Sequence, residues 1–118
     1  GPNLGFSIAP PWLRVGAYHA ALAVDRQEAD PNSLLNLTRR LIAWRRGEPV
    51  LRLGRLEAIE ADGDLLRFER LLGNRRIRLA FNFGATPRAL DRDGNVLAAV
   101  NGATETTLPP FGGIALEG

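Results

Sequence analysis

The stretch 65-LLRFERLLGNRRIRLAFNF-83 carries the clearest structural signal in this chain. From residue 76 to residue 83, an arginine, an alanine or an asparagine alternates with a large apolar residue. A period of two is typical of an antiparallel β-strand that buries one face. Gly73-Asn74 separates this segment from the strand-like run 65–72, and such a pair is typical of a tight turn. The stretch therefore predicts two antiparallel strands joined by a short turn.

The rest of the C-terminal sequence has the same character. The strands that we predict are at residues 54–61, 65–72, 75–83, 87–90, 96–100, 104–108 and 114–116. Asp62-Gly63-Asp64 predicts a hairpin before the central stretch, and Asp93-Gly94-Asn95 predicts another after it, between the fourth and fifth strands. Several short strands with turn residues between them predict an antiparallel β-sandwich or barrel over residues 48–118, and we expect a β-sandwich.

Upstream of the strands, residues 30–47 have the period of one long amphipathic helix. Apolar residues recur there at spacings of three and four and cover about half of the circumference. Asp30 can cap the N-terminus, Pro31 suits the first turn, and Gly47 ends the helix. A helix so widely apolar needs more than one neighbour, so we expect Arg45, which projects into the apolar side, to be partly buried and paired.

Residues 1–29 contain several Pro and Gly residues and little periodicity, which predicts a long irregular segment. The chain is thus a mixed α and β protein with three expected parts, at 1–29, 30–47 and 48–118. Gly1-Pro2 is either native or a remnant of tag removal.

The composition is that of a globular protein, with 45% hydrophobic and 24% charged residues. All 15 basic residues are Arg, and they are spread among 13 acidic residues, so neither a nucleic acid nor a membrane is an expected partner. No apolar run approaches the roughly 18 residues of a membrane span, and no stretch has the pattern of a signal peptide. Cysteine is absent, which fits a reducing compartment, and we expect a cytoplasmic location.

Residues that could form a catalytic or metal site stand alone or in turns. His19 is the only histidine, and it has no cysteine or clustered carboxylate beside it in the sequence. Two acidic stretches, 62–64 and 91–95, lack the Gly and Glu positions of a calcium-binding loop. We therefore predict turns at both, and no catalytic residue, no cofactor-binding residue and no metal ligand in the chain.

Aromatic residues give two expectations. Phe6, Trp12 and Tyr18, in the irregular segment, are candidates for the rim of a sugar-binding site, although scattered aromatics more often fasten such a segment down. The C-terminal phenylalanines are expected in the core of the β-domain: Phe68, Phe81, Phe83 and Phe111.

Several motifs follow one another along the chain: NLGFS at 3–7, PWLRV at 11–15, LAVDRQEADPNSL at 22–34, LIAWR at 41–45, LLRFER at 65–70 and LAFNF at 79–83. They resemble the motifs NAGFS, PWLPV, NV..Q..DP.S.L and LI.LR, and the C-terminal β-domain, of glycoside hydrolase family thirteen. The resemblance is to its α-glucosidases, the maltases and oligo-1,6-glucosidases of carbohydrate metabolism. Arg14, Ala23 and Thr38 depart from the motifs, which affects the expected substrate specificity rather than the family.

The resemblance implies that residues 1–29 are the last loop segment of a (β/α)₈ barrel and that 30–47 is its last helix. Residues 48–118 would be the C-terminal β-domain, with Trp44 and Arg45 at the structural junction. The family's retaining mechanism uses a carboxylate nucleophile and a carboxyl acid/base on earlier barrel strands. No acidic residue of this chain matches those groups.

We therefore expect the C-terminal fragment of a retaining α-glucosidase, which supports the barrel and is inactive alone. Its expected partner is the remainder of the barrel, or a second copy bound through the exposed helix face. An oligosaccharide substrate is expected only for the parent enzyme. The alternative is a β-sandwich module that binds carbohydrate or protein, which an exposed line of aromatics on one sheet face would favour.

Overall fold

The structure is a computed structural model that describes residues 2–5 and 7–118. The chain divides into two compact units, Gly1–Gly47 and Glu48–Gly118. Among the described residues, no helix is long and apolar enough to cross a membrane.

The first unit is built from short helices. A 3-10 turn spans Pro2–Gly5, helix α1 spans Val24–Ala29, and helix α2 spans Leu34–Gly47. The prediction that residues 1–29 are irregular throughout is therefore wrong at α1. No residue of α2 is buried within this chain.

The long helix predicted from Asp30 begins instead at Leu34. The Asp30 carboxylate accepts a hydrogen bond from the backbone N–H of Asn32 at 2.9 Å, which closes a turn. The hydroxyl of Ser33 accepts from the backbone N–H of Asn36 at 3.2 Å, so Ser33 caps α2. Asp30 and Pro31, residue types that often begin a helix, form the turn before α2 instead.

The second unit begins with a short helix that the sequence pattern did not predict, α3 at Pro49–Leu53. Pro49 occupies the first turn of α3, and the Glu48 carboxylate accepts from the backbone N–H of Val50 at 3.3 Å. Val50 and Leu51 are buried. The strands that follow are β1 at Arg55–Asp62, β2 at Leu65–Leu72, β3 at Arg75–Asn82, β4 at Arg88–Ala89, β5 at Asn95–Val100, β6 at Thr107–Leu108 and β7 at Gly113–Glu117.

The strands form two antiparallel sheets. The larger has the order β1-β2-β3-β7-β5, and the smaller pairs β4 with β6. The predicted antiparallel β-structure of this region is confirmed, and so are its two tight turns at Gly63 and Gly73, which have φ values of 56° and 61°. The predicted hairpin between the fourth and fifth strands is wrong. The backbone N–H of Leu90 donates to Thr106 at 2.9 Å, so this segment extends the smaller sheet.

Both edge strands of the larger sheet are irregular. The register of β1 on β2 shifts between Glu57 and Glu60, where Ala58 has a φ of 51°. The register of β5 on β7 shifts between Val96 and Ala98. These shifts are β-bulges, which bend a strand and interrupt its ladder.

The core lies between the two sheets. It is one cluster of buried apolar residues: Leu65, Ala80, Leu90, Ala103, Leu108, Ile114 and Leu116. Beside it, the buried amide of Asn82 donates to the carbonyls of Thr86, Leu108 and Pro109 at 2.8, 3.2 and 3.2 Å. The Asn82 amide thus ties the end of β3 to the chain around β4 and β6.

Candidate functional site

The face of the larger sheet that lies opposite this core carries a row of phenylalanines. The pairing of β2 with β3 sets Phe68 against Leu79 and Leu66 against Phe81, so these residues share that face. The ring centroids of Phe68 and Phe81 are 5.9 Å apart, and those of Phe81 and Phe83 are 6.4 Å apart. We call Phe68, Phe81 and Phe83 the aromatic face.

The expectation that the phenylalanines lie in the core is wrong. Phe83 is 64% exposed and Phe111 is 62% exposed, while Phe68 and Phe81 are half-buried. The physical reason is that strand register directs Phe68 and Phe81 to the face of the larger sheet that lies away from the core. Leu65 and its neighbours pack against the smaller sheet, which leaves the phenylalanines on the other side.

An ionic cluster connects α3 to the larger sheet. Arg75 binds the Glu48 carboxylate through Nη1 at 2.7 Å and Nη2 at 3.2 Å. The same guanidinium binds Glu117 on β7 through Nε at 2.7 Å and Nη2 at 3.0 Å. Paired, two-point bonds of this kind fix geometry as well as charge. The start of α3 is therefore held to β3 and β7 at once.

The cluster shifts the protonation equilibria of its members. The hydrogen bond from Arg75 lowers the pKa of Glu48 below its ordinary value, with the Val50 N–H acting in the same direction and burial opposing both. The two carboxylates, Glu117 first, raise the pKa of Arg75. Sequence reasoning missed this cluster because its members are 27 and 42 residues apart, and no local pattern links them.

Two of the three candidate rim residues lie within the described part of the chain, and they do not contact each other there. Trp12 is 91% exposed and Tyr18 is 85% exposed, and no ring contact joins them within residues 7–118. Phe6 lies outside the described residues. His19 takes a local role instead, because its Nδ1 accepts from the backbone N–H of Gly16 at 3.1 Å.

The two residues expected at the junction, Trp44 and Arg45, differ in how far they are buried. Trp44 is half-buried, whereas Arg45 is exposed, so the expectation that Arg45 is partly buried and paired is wrong within this chain. Their place at a junction with a barrel remains a prediction.

The acidic turn at residues 62–64 makes structural hydrogen bonds to an arginine. Asp62 accepts from Arg88 Nη2 at 2.9 Å, and its backbone carbonyl accepts from Nη1 of the same guanidinium at 3.2 Å. In the part of the chain that the structure describes, no group of three or more His, Cys, Asp and Glu residues is arranged to hold a metal ion. The fold is thus a β-rich domain with a row of aromatic residues on one face of its larger sheet.

Residues 52–114, more than half of the chain, match a family described as "Domain of unknown function (DUF3459)", and the chain belongs to that family. A "Probable alpha-glucosidase" from Rhizobium meliloti (strain 1021) is 43% identical to it over 81 residues. An "Oligo-1,6-glucosidase" from Parageobacillus thermoglucosidasius is 30% identical over 82 residues. Each alignment covers 69% of this chain but only 15% of the relative, so the chain spans a small part of those proteins.

Solved structures of longer proteins also resemble this chain over part of their length. An alpha-glucosyl transfer enzyme, XgtA, superposes with a TM-score of 0.81 and 32% identity over 100% of this chain and 24% of its own. The trehalulose synthase MutB from Pseudomonas mesoacidophila MX-45 superposes with a TM-score of 0.84 and 25% identity, over 99% and 23%. The resemblance to the C-terminal part of family-thirteen glycoside hydrolases of the α-glucosidase type is confirmed.

Proposed function

We propose that this chain is the C-terminal support of the catalytic barrel in a retaining α-glucosidase of the cytoplasm. It is inactive alone, because the nucleophile and the acid/base of such enzymes come from earlier parts of the barrel. The observation that carries the proposal is the aromatic face, an apolar surface that the chain covers only in part and that leaves Phe83 64% exposed. Its relatives are several times longer than this chain, and the proposal places part of that additional sequence against the aromatic face.

The helix α2 supports the same conclusion independently. Its Leu34 side chain is 72% exposed and its Ile42 side chain 47% exposed, and none of its residues is buried. An amphipathic helix draws most of its stability from packing its apolar side. In the proposed enzyme, α2 is the last helix of the barrel and packs there against neighbouring helices and strands.

The aromatic face is suited to a broad, permanent contact. Aromatic side chains bring a large apolar area with little conformational freedom to lose. Residues of this type are enriched in the buried centre of protein interfaces.

The experiment compares two phenylalanines of nearly equal exposure in the full-length enzyme that carries this chain. Phe83→Ser removes a ring from the aromatic face, and Phe111→Ser removes an exposed ring that makes no ring contact with the described residues. We expect Phe83→Ser to destabilise the full-length enzyme by about 2 kcal/mol, the value for one buried aromatic side chain, and Phe111→Ser to leave it nearly unchanged. Thermal unfolding measures both, and equal effects would contradict the proposal.

The second part of the experiment makes the same two substitutions in the isolated chain. Here both substitutions are expected to be mild, because both rings are in solvent. A chromogenic α-glucoside assay is expected to show no hydrolysis by this chain, and turnover would refute its support role. Sedimentation equilibrium then tells whether the uncovered surfaces bring two copies together.

One observation favours a second candidate function, carbohydrate binding by the β-unit. Phe68, Phe81 and Phe83 follow one another on one sheet face, and Phe83 is exposed, as the alternative requires of such a line of aromatics. Titration of the isolated chain with malto- and isomalto-oligosaccharides tests it by calorimetry. Saturable heat that Phe83→Ser abolishes would favour this function over barrel support.

A further inference from the structure

The core side of the larger sheet contains a small cavity with an unusual lining. Its volume is about 150 Å³, and its floor is apolar, formed by residues such as Leu90 and Ile114. Three arginines line it, Arg67 on β2, Arg78 on β3 and Arg92 on the segment before β5, together with Glu60 and Glu69.

Strand register explains how charged groups come to lie on this side. Arg67 is paired with Ala80, and Arg78 is paired with Glu69 and with Leu116. Ala80 and Leu116 belong to the buried core, so the alternation of β2 and β3 directs both guanidiniums towards that layer. Charged side chains facing a core layer need partners.

The partners present satisfy only some of the donors. Arg67 Nη2 binds Glu60 at 3.1 Å, and Arg78 Nη2 donates to the carbonyl of Asp93. The Nε atoms of Arg67 and Arg78 are buried and have no acceptor among the described residues. Arg92, only half-exposed, makes no hydrogen bond or ion pair with them either.

Buried donors without an acceptor destabilise a fold, because they lose their hydrogen bonds to water without replacing them. The acidic groups nearby are already engaged, Glu60 with Arg67 and Glu69 with Arg76 at 3.5 Å. With three arginines against two glutamates, the lining keeps a net positive charge. Guanidinium groups bind oxyanions through paired N–H donors, which neutral sugars do not match as well.

We propose that this cavity is a binding site for a small inorganic oxyanion of the phosphate or sulfate type. The anion accepts hydrogen bonds from the Nε atoms of Arg67 and Arg78 and from the guanidinium of Arg92. It stabilises the folded β-unit by linking β2, β3 and the segment before β5. The site lies on the side of the sheet opposite the aromatic face and is independent of the barrel-support proposal.

The test titrates the 118-residue chain with sodium phosphate at constant ionic strength. Proton–nitrogen NMR spectra follow the arginine Nε–H signals, and Arg67→Lys and Arg78→Lys each remove one signal and thereby assign it. We expect those two signals to move along a saturable curve. Arg92→Gln is expected to weaken phosphate binding by about tenfold, the loss of one charged hydrogen bond, without changing the urea midpoint in chloride.

The matched control is Arg14→Gln, which removes an exposed arginine from the first unit and is expected to keep the wild-type affinity. The proposal is overturned if the shifts grow linearly without saturation or are shared by exposed arginines. It is also overturned if Arg92→Gln binds phosphate as wild type does, or if it lowers stability in chloride. Either result would mean that Arg92 is not an anion ligand.

Discussion

The two units of this chain differ in where their apolar residues find partners. In the first unit, only Ala23 and Ser33 are buried among the described residues, and α2 buries none. In the second unit, both sheets close over one continuous core. A local sequence pattern suffices to form a helix, but the neighbours that stabilise it can lie outside the chain. The β-unit, by contrast, carries its own stabilising contacts.

The test with the largest expected effect replaces one leucine in each unit with alanine. Leu108 is completely buried in the core, so Leu108→Ala is expected to destabilise the β-unit by about 3 kcal/mol. Leu34→Ala, at an exposed site in α2, is expected to cost almost nothing. Urea unfolding of the chain measures both, and a comparable loss at Leu34 would show that α2 is packed within this chain.

A somewhat smaller effect is expected from the buried amide of Asn82. Asn82→Ala leaves the carbonyls of Thr86, Leu108 and Pro109 without their donor, at a cost of about 2 kcal/mol. The control is Asn95→Ala, whose exposed side chain makes no hydrogen bond with the described residues. Thermal unfolding that does not separate the two variants would mean that the amide does not join the sheets.

The N-terminal end of α2 provides a test in the first unit. Ser33→Ala removes the cap of Asn36 and is expected to destabilise α2 by about 1 kcal/mol, which amide hydrogen exchange detects as faster exchange in its first turn. Asp30→Ala removes only the bond to Asn32 and is expected to change exchange in α2 less. The reverse order would place the helix start at Asp30 after all.

The smallest effect is expected at the ionic cluster and appears only in acid. Because the pKa of Glu48 is lowered in the folded state, its contribution is present above the ordinary value of 4.5 and is lost as the pH falls through the folded pKa. Arg75→Gln is therefore expected to flatten the acid side of the stability–pH curve. Arg55→Gln, which breaks an exposed pair with Glu57, serves as the control and is expected to leave that slope unchanged.

Much of the β-unit could be predicted from sequence because its signals are local. The alternation at 76–83 and the glycines at 63 and 73 define β1 to β3 and their turns within one or two residues. The pairing of β4 with β6 could not be predicted, since strands of two residues have no period. The five-residue helix α3 was missed for the same reason.

The candidate site was less accessible to sequence reasoning. The sequences of β2 and β3 do not indicate which face of the larger sheet the smaller sheet covers, so the phenylalanines were assigned to the core. The cluster around Arg75 and the three arginines of the cavity depend on strand register, which only the fold defines. The family could be predicted because its motifs recur in fixed order along the chain.

The bulges in β1 and β5 have a consequence for handling this chain in solution. A regular edge strand offers a continuous row of free backbone donors and acceptors, which lets one sheet extend into the next molecule. Here both outer strands of the larger sheet lose register midway, at Glu57–Glu60 and at Val96–Ala98. The folded sheet therefore has no regular outer strand along its whole length for a second molecule to extend, even where its aromatic face is exposed to solvent.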